Sequence, residues 1–279
     1  MNDDYGAASL CGAALFLKKQ GCSFLNILCI GDIVGKDGSE TLVSQLKYIK
    51  QDYDIDFVIA NGENATTGNG INRERADLLL DGGVDVITLG NHAFSKSKQV
   101  QEVFSLKYPV IRPLNMPEGT SGEGYIIKEC CGKKIAVINA LGRVFMTPCD
   151  CPFAAVKNLL QKIEADFIFL DFHAEATSEK KAMGYFLDGK VTAVFGTHTH
   201  VQTADEQLLP KKTAYITDLG MTGPITSVLG VKKEIAIKKF TAMMHEKYEN
   251  AEGSCSIEGI IVETGENGLA KSIKRINIR

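Results

Sequence analysis

Two of the chain's five histidines stand one residue apart, in His198-Thr199-His200. An apolar run from Val191 to Phe195 leads into Gly196, which reads as a buried strand giving way to a loop. Residues at i and i+2 of a strand share a face, and a turn after Gly196 would let both imidazoles enter one small volume, as a metal ion requires. Histidine also serves as a general base or as a plain surface residue. The pair alone therefore leaves metal chemistry and an exposed loop both open.

Four other apolar runs stop at a residue able to bind metal. Asn26 to Gly31 precedes Asp32, and Phe57 to Gly62 precedes Glu63 and Asn64. Val86 to Gly90 precedes Asn91 and His92, and Phe167 to Phe172 precedes His173. Each run has strand length and composition. Gly38 to Tyr53 and Arg73 to Asp81 fit helices between the first three, which is the rhythm of strand-helix-strand units in an α/β fold. Such sheets gather ligands along the edge formed by their strand carboxyl ends, so positions 32, 63, 64, 91, 92, 173, 198 and 200 can meet there.

Taken alone, Asp32 reads as well as a helix cap or turn former. Five strand ends that deliver Asp, Glu, Asn and His, with no Cys, point instead to a hard oxygen and nitrogen site suited to Mn, Fe, Zn or Mg. Seven or eight ligands exceed the needs of one ion. A carboxylate such as Glu63 can bridge two, and cations about 3.5–4 Å apart are the arrangement used in displacement at phosphorus.

In order and composition, Gly31-Asp32, Asn61-Gly62-Glu63-Asn64, Gly90-Asn91-His92, His173 and Gly196-Thr197-His198-Thr199-His200 resemble the motif series of calcineurin-like metallophosphoesterases. The chain is similar in particular to their YmdB-like branch, which has Asn-Gly-Glu-Asn where most relatives have Gly-Asp-x-x-Asp. Residues 171 to 179, 196 to 205 and 217 to 224 extend the resemblance, which runs from about Asn26 to the C-terminus.

The resemblance implies a four-layer α/β/β/α sandwich of the metallophosphoesterase type, with a dinuclear metal site at the strand carboxyl edge. Asp32, Glu63, Asn64 and His200 would hold one ion, and Glu63, Asn91, His173 and His198 the other. Both would be divalent or mixed-valence, iron or manganese in first place and Mg or Zn after them. The implied activity is hydrolysis of 2′,3′-cyclic nucleoside monophosphates to 3′-nucleotides, with 3′,5′-cyclic AMP as a further substrate and His92 as general acid. Two cations make hydroxide available at neutral pH, so no Ser, Cys or Thr nucleophile is required. A phosphomonoesterase on the same ligands and a nonenzymatic, metal-dependent regulator of nucleotide or RNA pathways are the alternatives. The branch reads Gly-Asn-His-Thr-Trp-Asp after the third strand. Here Ala93, Phe94 and Ser95 follow His92, and the chain has no Trp. Metal binding should survive this departure, whereas the setting of His92 and the preference for substrate come into question.

Other signals are weaker. Gly31 to Asp37 lacks the spacing of a phosphate loop. Arg112 suits either a phosphate or the bracing of its own loop. Asp171 and Glu175 flank His173 and could orient it, although Glu175 could simply open a helix capped near Thr177-Ser178. Eight cysteines without a Cys-x-x-Cys read as reduced thiols. Cys130 and Cys131 fall in a hairpin between strands near Tyr125–Ile127 and Lys134–Asn139.

At 279 residues and 44% hydrophobic composition the chain can bury a large core, and no linker divides it. Residues 26–279 read as one domain. Residues 1–25 read as a mobile extension or an over-long start, with neither a secretory signal nor a membrane span. A net charge of −3 disfavours strong binding to duplex nucleic acid. A cytoplasmic enzyme with a small nucleotide substrate is expected, and a homo-oligomer is left open. Glu234 to Tyr248 reads as a helix carrying a surface His245, with closing strands at Ser256–Glu263 and Ala270–Ile278.

Overall fold

The structure, a computed structural model, describes residues 24–243 and 247–279. Most of the expected N-terminal extension lies outside the described residues, as does His245. Leu25 is buried, and its N–H donates to Thr264 Oγ1 at 2.7 Å.

The first part of the chain contains β1 (Asn26–Ile30), β2 (Asp32–Ile33), α1 (Gly35–Asp52), β3 (Phe57–Asn61), α2 (Arg73–Asp81), β4 (Val86–Thr88), α3 (Ser97–Ser105) and β5 (Val110–Ile111). Next come β6 (Tyr125–Cys130), β7 (Lys133–Leu141), α4 (Pro152–Leu160), β8 (Phe167–His173), α5 (Thr177–Leu187), β9 (Ala193–Thr197), β10 (Gln207–Leu208) and β11 (Ala214–Ile216). The chain closes with β12 (Met221–Pro224), α6 (Lys233–Ala242), β13 (Cys255–Thr264) and β14 (Ala270–Ile278).

These elements form a mixed α/β fold with two sheets. One has eight strands, in the order β2-β12-β13-β1-β3-β4-β5 with β14 beside β13, and the other has six, in the order β10-β11-β9-β8-β7-β6. Strands β1, β3, β4 and β5 run parallel, and so do β7, β8, β9 and β11. Their carboxyl ends carry the expected site residues.

Alternation of side chains along the strands builds the core from both faces of each sheet. Ile27 and Cys29 of β1 join Phe57, Ile59, Val137, Phe169 and Phe195 in an apolar cluster between the sheets. Leu28 and Ile30 point the other way and pack with Leu42, Leu46, Leu79 and Val100 of α1, α2 and α3. Leu170 and Phe172 of β8 pack with Val156, Met183 and Leu187 of α4 and α5. Each such side chain contributes about 1.5–3 kcal/mol by leaving water.

Some boundaries differ from expectation. The hairpin turns at Cys131 and Gly132, both at positive φ, so its strands reach Cys130 and Lys133. Helix α6 stops at Ala242 because Met243 adopts φ 50°, and the helix expected to reach Tyr248 is shorter. At α5, Ala176 is the N-cap and gives no side-chain hydrogen bond. The capping role expected near Thr177-Ser178 is therefore absent. Glu179, on the first turn of α5, is buried and its carboxylate accepts the N–H groups of Arg143 and Val144.

Candidate metal centre

Seven residues singled out as ligands converge, and the two sheets divide the work of supplying them. Asp32, Glu63, Asn64 and Asn91 come from the end of the eight-stranded sheet, and His173, His198 and His200 from the end of the six-stranded one. Asp32, Glu63 and His173 are fully buried. Gly90 is what lets the two sides approach, since a Cβ there would lie 2.4 Å from both Glu63 Oε2 and His173 Cδ2.

The contacts fall into two groups that share Glu63. In one, His173 Nε2 lies 3.0 Å from Glu63 Oε1, 2.9 Å from Asn91 Oδ1 and 3.1 Å from His198 Nδ1. In the other, Asn64 Nδ2 lies 3.4 Å from Asp32 Oδ1, 3.4 Å from Glu63 Oε1 and 3.2 Å from His200 Nε2. His200 Nε2 is itself 3.5 Å from Asp32 Oδ1, and its Nδ1 faces the Leu229 carbonyl at 3.1 Å.

One hydrogen on His173 Nε2 cannot satisfy three neighbours at about 3 Å, and two on Asn64 Nδ2 cannot satisfy three of their own. The cluster holds more lone pairs than protons, the condition that a positive ion relieves. Turning the Asn64 amide about its axis would add its oxygen to that set. The hard oxygen and imidazole donors fit Fe, Mn, Zn or Mg.

The electrostatics carry the same signature. Burial alone would lower the His173 pKa, but Glu63, helped by Asp32 and Asp171, overrides it and raises it to about 9. Burial opposes ionisation of Asp32 and Glu63, yet His200 holds Asp32 below the ordinary carboxylate range and His173 does the same for Glu63. Burial and the neighbouring His173 bring His198 down to about 4. The buried carboxylates thus favour a positive charge at the position of His173.

His92 is placed differently from His173, His198 and His200. Its backbone N–H donates to Glu63 Oε2 at 2.9 Å, and its Nδ1 lies 3.3 Å from Ser95 Oγ. Phe94 is half-buried, edge-to-face on Phe104 with centroids 6.1 Å apart, and packs against the core.

The flanking acids have separate tasks. Asp171 reaches His173 through a relay: Thr197 Oγ1 donates to Asp171 Oδ1 at 2.6 Å and lies 2.9 Å from His173 Nδ1. Thr88 and Asn61, from the opposite sheet, also donate to Asp171. Burial raises the Asp171 pKa to about 6 despite His173 nearby. Glu175 contacts His198, at 3.1 Å from its Nε2, and not His173. Arg112 braces its own loop through the carbonyls of Pro113, Leu114, Thr120 and Ser121. Nothing in the sequence alone marks Thr88, and Thr197 stands in the His198 motif without a role of its own. The signal for Thr197 is its place directly across from His173 in the β8–β9 pairing.

By shape this chain has structural neighbours among α/β proteins that include a 5′-nucleotidase. A 5′-nucleotidase precursor from Thermus thermophilus superposes with a TM-score of 0.58 at 10% identity, over 91% of this chain and 54% of that one, a likeness of fold alone. The family described as YmdB-like protein matches residues 28–276, and the chain belongs to it. It is 42% identical over 257 residues to a 2′,3′-cyclic-nucleotide 2′-phosphodiesterase of Bacillus subtilis (strain 168), covering 91% of this chain and 97% of that protein. A Mycoplasma pneumoniae protein described as a novel phosphatase superposes with a TM-score of 0.87 at 35% identity, over 91% of this chain and 93% of that one.

Proposed function

We propose that this protein is a two-cation phosphodiesterase that opens 2′,3′-cyclic nucleoside monophosphates to 3′-nucleotides. The observation that carries the reading is the convergence of two donor groups on one buried carboxylate, Glu63. The Bacillus subtilis relative supports the choice of substrate. The finer description of the fold belongs to the same reading: two sheets face to face, with helices outside them, are the α/β/β/α sandwich of calcineurin-like metallophosphoesterases.

Asp32, Glu63, Asn64 and His200 would hold one ion, and Glu63, Asn91, His173 and His198 the other. Iron or manganese suits these donors best. When bound, two such cations would lower the pKa of a water and offset the charge of the phosphodiester. The remaining steps fall to side chains. Asp171 and Thr197 fix the His173 ring, and Glu175 fixes that of His198. His92 delivers a proton to the departing ribose oxygen through Nε2, with Nδ1 engaged by Ser95. A nucleotide substrate fits a cytoplasmic enzyme. Among the described residues no helix is long and apolar enough to cross a membrane.

A second reading, a phosphomonoesterase on the same ligands, draws on the Mycoplasma pneumoniae neighbour. Purified protein loaded with Mn²⁺ and assayed on 2′,3′-cyclic AMP, 3′,5′-cyclic AMP and a phosphomonoester separates the two. Turnover of the 2′,3′-cyclic ester is expected. Preference for the monoester would favour the second reading, and no turnover of any would leave a binding protein.

A further inference from the structure

His198 and His200 both have left-handed backbones, at φ 102° and 60°, although neither is glycine. Such conformations persist only where their surroundings over-determine them. The residue between them shows what does so. Thr199 donates its N–H to Asp218 Oδ2 at 3.1 Å and its hydroxyl to the same oxygen at 2.8 Å. Lys180 Nζ, from α5, reaches that oxygen at 2.6 Å, and the Gly220 N–H donates to Asp218 Oδ1 at 2.9 Å. Lys180 and Asp218 are at most 1% exposed. Gly196 leaves a notch for the lysine stem, because a Cβ there would lie 2.9 Å from Lys180 Cδ and 1.9 Å from the Thr217 carbonyl oxygen.

A buried ion pair adds little stability over apolar residues of equal volume. Its use here lies in geometry, since Asp218 grips the midpoint of a turn whose two ends belong to different donor groups. We propose that the Lys180–Asp218 pair, acting through Thr199, is a positioning device that sets the separation of His198 and His200 and so keeps the two donor groups distinct. This rests on the two-cation reading above. None of the three residues is a ligand.

The experiment titrates Co²⁺ into the chelator-treated full chain by calorimetry and records the visible Co²⁺ spectrum, for wild type, Thr199→Val, Thr199→Ser and Asp218→Asn. Circular dichroism melting checks folding of each. Thr199→Val keeps the shape and the N–H and loses only the hydroxyl, so it reports even if Asp218→Asn fails to fold. Expected are a roughly tenfold or greater loss of Co²⁺ affinity at one of two sites and a changed spectrum in Thr199→Val, with Thr199→Ser restoring both. Two sites of wild-type affinity and spectrum in Thr199→Val, or an equal loss in Thr199→Ser, overturn the positioning role while leaving the metal reading intact. Failure of the wild type itself to take up Co²⁺ overturns both.

Discussion

Glu63 joins the two donor groups, and comparing its replacement with that of His92 separates binding from proton transfer. Glu63→Gln is expected to lose metal and rate together, by more than the roughly 10- to 100-fold typical of losing a ligand's supporting partner. His92→Ala should keep its metal, measured by elemental analysis, and lose about 10²–10⁴ in kcat. An unchanged rate would remove the acid assignment. Ser95 touches His92 Nδ1 at the position where the family pattern has a carboxylate. A carboxylate there favours the imidazolium, so Ser95→Asp should move the alkaline limb of the kcat profile to higher pH. A profile that stays in place would show that another group donates the proton. The candidate ligands are legible in the sequence because each follows an apolar run that ends abruptly. The partners of Asp171 are not, because Thr88, Asn61 and Thr197 reach it from three strands that only the packing of two sheets brings together.

At the scale of elements, five parallel strand ends are readable from short apolar runs. Their division between two sheets is implied by family resemblance and not by periodicity, since a buried run looks the same in either sheet. Local backbone chemistry overrides helical pattern at Met243, where a left-handed residue ends α6 early. The hairpin is legible but its turn is narrower than the pattern suggests, because the pattern does not reveal positive φ at a cysteine. Gly90 is the element-scale test of close approach. Gly90→Ala should remain folded by circular dichroism but bind Mn²⁺ more weakly, because the new methyl must push Glu63 away from His173. Wild-type Mn²⁺ affinity in that variant would mean that the strand end yields without disturbing the ligands.

For the whole molecule, the buried charges link stability, pH and metal. The folded pKa of His173, about 9, lies above its ordinary value of 6.5, so its protonation stabilises the metal-free fold fully below about pH 6.5 and ceases to do so as pH rises through 9. In chelator, the melting temperature should therefore fall by several degrees between pH 6.5 and 9, and His173→Asn should flatten that slope. Metal held by His173 would displace the same proton, so calorimetry at about pH 7.5 in buffers of different ionisation enthalpy should show at least one proton released per protein. Both effects depend on the two sheets bringing Glu63 and His173 into one buried volume. The most direct measurement is an anomalous difference map from a crystal grown with Mn²⁺. Two peaks about 3.5–4 Å apart, one among Asp32, Asn64 and His200, the other among Asn91, His173 and His198, with Glu63 between them, are predicted. No peak at this edge, or a single peak that leaves either group without an ion, would contradict the account.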